Sequence, residues 1–199
     1  MKNSTRTLAL FATLLTTFDA IHPACDQWLQ NGGDATNKGA HGDHLVYTDG
    51  VAVGTEPDGQ DRTGQPTMTA TQLGRRAATR HVATYTLGQT SATLAVTRAL
   101  GYHLPLPALL AGAAINGLTH YVIDRREPLL KLARVARKTG YIEHCQALRH
   151  LPDGSIRAEQ SGPGTALMEL DQALHRAIGI TAAAVTAWLA VRANPPGSA

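Results

Sequence analysis

Apolar positions concentrate in four segments, 7–21, 82–100, 104–123 and 177–191. Each is rich in Ala, Leu and Thr and almost free of charge. Runs of this length exceed ordinary strands and predict helices. Extended into their amphipathic flanks, they predict helices over about 7–30, 79–100, 106–138 and 166–192. Two polar stretches, 31–78 and 139–164, read as loop insertions rich in Gly, Asp and Thr. Asp49-Gly50 predicts a small hairpin within 44–54, and 49–72 has no periodicity. Pro152-Asp153-Gly154 marks a turn in the second insertion, and 194–199 reads as a frayed tail. The chain reads as one helical domain, 1–193.

The third helix is expected to run on past its apolar part. Pro128 suits a first turn or a kink, and Gly140 a stop. Between them Leu129, Leu130, Leu132, Ala133, Val135 and Ala136 oppose a basic face. Such a helix suits an anionic membrane surface or packing against the bundle. Ala108 with Gly112, and Ala113 with Gly117, stand four apart, which permits close helix approach. The expected fold is all-α: an up-down four-helix bundle, membrane-embedded, with two polar loop insertions. The first segment also resembles a secretory signal, but no clean cleavage site follows it.

Composition narrows this picture. Charged residues are 17% and hydrophobic residues 43% of 199, which excludes a mainly disordered chain. Two cysteines, Cys25 and Cys145, exclude a disulfide scaffold and a four-thiolate zinc site. A net charge of +3 is too mild to indicate nucleic acid. Arg125, Arg126, Lys131, Arg134, Arg137 and Lys138 are clustered, however, with Glu127 the one acid among them. With Lys38, Arg75, Arg76 and Arg80 they load one end of the threaded bundle with cations. The positive-inside rule puts that end at the cytoplasmic face.

The same end collects the candidate chemistry. Three His–Asp pairs stand four apart: His22 with Asp26, His120 with Asp124, and Asp171 with His175. Residues four apart share a helix face. His22 and Asp26 follow the first apolar segment, His81 precedes the second, His120 and Asp124 close the third, and Asp171 and His175 precede the fourth. Up-down threading brings all seven to one layer. Imidazole and carboxylate suit zinc, manganese or iron. Seven exceed the four ligands of a closed mononuclear site, which implies two ions, or one ion with further carboxylates orienting the imidazoles. Gln30 and Tyr85, one turn on, are candidate hydrogen-bond donors to the site. Cys25 is read as a small apolar residue.

This order of residues resembles the bacterial domain-of-unknown-function family 3307, small helical membrane proteins. The likeness rests on His22, Asp26, Gln30, Trp28 and Lys38, then His81, then His120 and Asp124, then Asp171, Gln172 and His175. It covers the four helices and not the polar loops. More distantly, the arrangement is similar to membrane-bound metal-dependent hydrolases. The resemblance implies a helical protein of the bacterial inner membrane and carries no established activity. Thr16, Thr17 and Asp19 in the first helix, and Gln89, Thr90 and Ser91 in the second, make this chain less hydrophobic than typical members.

The expectation is a membrane-associated metal-dependent hydrolase, of phosphoesterase type, with one or two divalent ions, zinc or manganese/iron. Its partners would be membrane lipid and an anionic small-molecule or lipid substrate, not nucleic acid. The alternatives are a non-enzymatic metal-binding or metal-transporting membrane protein and a soluble helical regulatory protein.

Overall fold

A computed structural model describes residues 2–57, 59–151 and 153–194, with the side chains of Lys2 and Asn3 left out. Pro152 of the expected turn and 195–199 of the expected tail lie outside the described residues. The protein is mostly helical. In chain order the elements are α1 (Lys2–Pro23), α2 (Gly32–Asn37), β1 (Leu45–Tyr47), β2 (Thr67–Thr69), α3 (Ala70–Ala99), α4 (Leu106–Asp124), α5 (Glu127–Val135), α6 (Thr139–His144), β3 (Ala147–His150), β4 (Ile156–Glu159) and α7 (Ala166–Ala193). A single π-helical turn, Ala24–Trp28, continues α1.

The four long helices pack as a closed ring, α1 on α3, α3 on α4, α4 on α7 and α7 on α1. Their core is built from Leu10, Leu14, Phe18, Ala108, Ala182, Ala183, Ala187, Ala190 and Val191. Alanine and glycine let the backbones close up. A Cβ on Gly112 would run into the Thr186 hydroxyl of α7, and one on Gly117 into Thr86 of α3. The small-residue spacing read from the sequence is therefore the contact surface of α4.

Helices α1 with its π turn (Ser4–Trp28), α4 and α7 are long and apolar enough to cross a membrane. Between 28% and 44% of their apolar windows is buried inside the protein. Leu8, Leu110, Leu118, Val122, Ile180 and Trp188 of these helices lie on the surface. An outer face of this kind is what lipid would cover.

Three boundaries differ from the sequence reading. First, α3 begins at Ala70 rather than 79. Thr69 caps it: its hydroxyl accepts from Gln72 N, and the Gln72 side chain accepts from Thr69 N. That capping box holds the polar first turns in helix despite their lack of apolar periodicity. Second, the expected single helix over 106–138 is two. Arg126 adopts a positive φ of 56° and breaks it, and Pro128 sits in the first turn of α5. Third, α5 ends at Val135, with Arg137 just beyond it also at φ 56°, and Gly140 lies inside α6.

The insertions carry structure too. The Asp49-Gly50 turn forms, with Tyr47 N donating to Val51 O and Val53 N to Leu45 O. The ladder partner of β1 is nevertheless β2, antiparallel, with Val46 opposite Met68. So 49–72 is not wholly loop. β3 and β4 form a second antiparallel pair around Asp153 and Gly154. Helix α5 packs Leu129 and Ala133 against Ile142 and Leu167, while Leu132 and Val135 stay exposed beside its basic residues.

Candidate metal centre

Each long helix delivers a chemistry-bearing side chain to one end of the ring. Asp26 comes from the π turn after α1, His81 from α3, His120 and Asp124 from α4, and His175 from α7. All five are buried. The π turn has a local cause. Pro23 has no N–H and its ring crowds the preceding turn, so the helix widens, and Leu29 N bonds back to Ala24 O. The wider turn carries Asp26 toward α3. It also seats Cys25, fully buried, where a Cβ on Gly88 would stand.

His81 Nε2 and His120 Nε2 are 2.9 Å apart. Asp26 Oδ1 lies 3.0 Å from His81 Nε2 and 3.8 Å from His120 Nε2. Asp124 Oδ2 is 3.2 Å from each of the same two nitrogens. An oxygen of each carboxylate thus approaches the same pair of imidazole nitrogens. Ligand atoms around a tetrahedral zinc at 2.0–2.1 Å stand about 3.3 Å from one another. The observed separations bracket that value. Asp26, His81 and His120 form one group able to hold a metal ion, and His120, Asp124 and His175 form a second. His120 belongs to both.

The hydrogen bonding fits this reading. His81 Nδ1, His120 Nδ1, His175 Nε2 and both Asp124 oxygens are buried without a hydrogen-bond partner. Asp124 has Lys38 and two imidazoles at contact distance, yet at angles that make no hydrogen bond. Buried polar groups left this way are costly unless something else satisfies them. A cation would.

Two residues of the expected seven sit differently. His22 Nδ1 lies 3.0 Å from the Tyr85 hydroxyl and its Nε2 3.2 Å from Gln172 Oε1. Tyr85 accepts from Gln89, so its own proton goes to His22 Nδ1, and His22 Nε2–H donates to Gln172. Both nitrogens are engaged by the protein. Asp171 lies outside both ligand groups. Its carboxylate accepts from Gln172 and is 3.4 Å from His175 Nδ1. Gln172 Nε2 also reaches Asp26 Oδ2 at 3.2 Å, so this one amide ties Asp26, Asp171 and His22 together. The Tyr85 ring stacks at 4.0 Å on His120. The Gln30 amide nitrogen is buried without a partner, and Trp28 stands 87% exposed, outside the centre.

Lys38 brings a cation to the carboxylates of Asp26 and Asp124. Its Nζ is 3.1 Å from Asp124 Oδ1 and 3.4 Å from Asp26 Oδ1. Burial works against its charge, but the carboxylates of Asp124 and Asp26 outweigh that and raise its pKa above the ordinary lysine value. A strap over 31–41 delivers it. Arg80 holds Asp34 of α2 through Nε at 3.0 Å. Arg125 donates to Lys38 O and Ala40 O, each at 2.7 Å. Gly74 of α3 makes room for both, since a Cβ there would strike the Arg125 guanidinium and Ala40 O. Lys38 lies in an aperiodic stretch, and its likeness to the family motif is the one signal in the sequence that marks it.

A cleft of about 600 Å³ reaches the centre from this end. Asp26, Asp124, Asp171 and Lys38 form its floor, and Arg126, Leu129, Glu159 and Ser161 are among its walls. No protein-family model matches the chain, and no curated protein or solved structure matches it either. The likeness to family 3307 therefore rests on the sequence pattern from His22 to His175 alone.

Proposed function

We propose that the protein is a membrane-embedded four-helix bundle that binds a divalent metal at its cytoplasmic end and hydrolyses a phosphate ester there. The convergence of His81 Nε2, His120 Nε2, Asp26 Oδ1 and Asp124 Oδ2 is the observation that carries the reading. The donor set of two imidazoles and two carboxylates suits zinc or manganese. Such an ion would supply a Lewis acid and a bound water of lowered pKa.

The chain's own residues would do the rest. Asp171 faces the cleft, belongs to neither ligand group, and is placed to take a proton from water. Lys38 holds a positive charge over the two carboxylates, where it meets negative charge building on a phosphoryl oxygen. Arg126, at the cleft wall, adds a second cation. Its strained φ is of the kind that recurs at functional sites.

Charge placement supports membrane insertion. From Arg176 to Arg192 on α7 is about 24 Å, and from Arg80 to Arg98 on α3 about 27 Å, at 1.5 Å per residue. Both approach the roughly 30 Å of a hydrocarbon core. At the far end Arg192 lies 4.0 Å over the Trp188 ring, and Arg6 bonds Asn194 O. At the near end the basic helix α5 and exposed Leu132 and Val135 suit the headgroup region. The excess of Lys and Arg there supports a cytoplasmic orientation.

Transport is the weaker reading. Asn116, Gln89 and Tyr85 bond one another in a closed chain beneath the centre. Beyond them Thr93, Thr97 and Thr186 return their hydroxyls to their own helices. That leaves little to pass an ion onward.

The test is metal analysis of the purified protein with assay on p-nitrophenyl phosphate. One or two ions per chain are expected, lost in His120→Ala and Asp124→Asn, with activity removed by chelation. Metal content unchanged in both variants overturns the site. A metal-loaded protein without phosphatase activity overturns the hydrolase.

A further inference from the structure

A second cavity, of about 200 Å³, lies at the side of the helices and touches the candidate ligand groups at His175. Leu15 and Phe18 of α1 and Gly179 and Ile180 of α7 line it, and His22 and His175 stand at its inner end. Its floor is the Tyr85–Gln89–Asn116 chain. Asp19 and Arg176, exposed and paired at 3.3 Å, flank it at the surface between α1 and α7. So the 600 Å³ cleft approaches the centre from the polar end, and this cavity approaches it from the apolar flank.

Two features make the cavity more than a packing gap. A Cβ on Gly179 would meet nothing within 4 Å, although Gly179 is buried in a tightly packed helix. Cores seldom leave such room. His175, which lines the cavity, keeps a buried Nε2 with no partner. Both helices bounding the mouth are long and apolar enough to lie in lipid. A hydrocarbon chain would therefore enter from lipid without crossing water.

We infer that the substrate is a lipid phosphate monoester: its phosphate rests at the metal centre and a hydrocarbon chain occupies the cavity between α1 and α7. This rests on the hydrolase reading above and narrows its substrate from any phosphate ester to an amphiphile. Balance requires water alone. Water oxygen bonds to phosphorus as the phosphorus–alkoxide bond breaks, Asp171 takes the water's proton, and that proton passes to the leaving alkoxide, giving the free alcohol and inorganic phosphate.

The test uses zinc-loaded protein in nanodiscs with two probes, ethyl phosphate and dodecyl phosphate, titrated by calorimetry against empty nanodiscs. Gly179→Leu extends into the cavity from a Cβ position that meets nothing within 4 Å. It is expected to weaken dodecyl phosphate by roughly 15-fold, about fourfold for each of two displaced methylenes, and to leave ethyl phosphate and zinc content unchanged. Ile180→Trp narrows the same cavity from its rim and should act in the same direction. Dodecyl phosphate binding unchanged in both variants overturns the inference, as does an equal loss for both probes. If ethyl phosphate shows no zinc-dependent binding while the dodecyl loss persists, the hydrolase reading falls and the cavity keeps its occupant.

Discussion

The two ends of the long helices hold together by different means. Away from the centre, Leu10, Leu14, Ala108, Ala182, Ala183 and Ala187 pack shape against shape. The threonines there, Thr93, Thr97 and Thr186, bond carbonyls one turn back in their own helices. These hydroxyls are satisfied inside their own helices before the helices meet. At the other end many polar atoms are satisfied across helices, and His81, His120, His175 and Asp124 keep buried atoms without hydrogen bonds. One end is held by packing, and the other gathers buried His and Asp side chains that could hold a metal ion.

Removing the metal is the strongest way to break that comparison. An ion present at a thousand times its Kd stabilises the folded state by about 4 kcal/mol. Chelation is expected to lower the melting temperature accordingly. Hydrogen exchange should rise around Asp26, His81, His120 and His175 and stay level around Leu14, Ala108 and Ala187. An equal rise at both ends would mean that the two are one cooperative unit.

Next in size is Lys38→Met. Without the ammonium, Asp26 and Asp124 face each other without a counter-charge unless a metal is bound. Removing one partner of a buried pair costs about 3–5 kcal/mol, and the partial exposure of Lys38 discounts this to about 2 kcal/mol. Thermal denaturation should show that loss in the metal-free protein and a smaller one in the zinc-loaded protein. The same loss in both forms would show that Lys38 does not share the centre's charge balance.

How much of this was legible depends on what held each part in place. The four apolar segments announced their helices because length and composition suffice for that. The layer of His81, His120, Asp124 and His175 followed from threading, because i, i+4 pairs and alternating helix direction are properties of the sequence. The start of α3 at Ala70 was hidden, since a capping box on a polar turn leaves no hydrophobic period. The break at Arg126 was hidden because a positive φ in arginine has no sequence signature. His22 and Asp26 were read as one pair by their spacing. The π turn separates their roles, sending Asp26 to His81 and leaving His22 with Tyr85 and Gln172. Lys38 depends on Arg125, Asp34 and Gly74 meeting across the fold, which no local pattern encodes.

Gly112→Val probes the other end by shape alone. The added Cβ collides with the Thr186 hydroxyl, and α4 must move off α7. Overpacking of this kind costs about 1–3 kcal/mol. Zinc affinity, read by competition with a chromogenic chelator, should not change. A fall in affinity would show that the α4–α7 spacing sets the geometry of His120 and His175, and that the two ends are less separate than their chemistry.

The mildest test lies at the boundary between the strap and the helices. Thr69→Ala removes the hydroxyl that accepts from Gln72 N, and with it one half of the capping box. Losing such a cap costs about 1 kcal/mol. The first turn of α3 should fray, and Gly74, one turn on, is where Arg125 and Ala40 pack. If the strap is held mainly by Arg80 with Asp34 and by Arg125 with Lys38 O, fraying stops short of Lys38 and zinc affinity stays within about twofold. Thr69→Ser should restore the stability, because serine caps as well as threonine. A larger drop in affinity for Thr69→Ala, recovered in Thr69→Ser, would place the start of α3 among the supports of the metal centre.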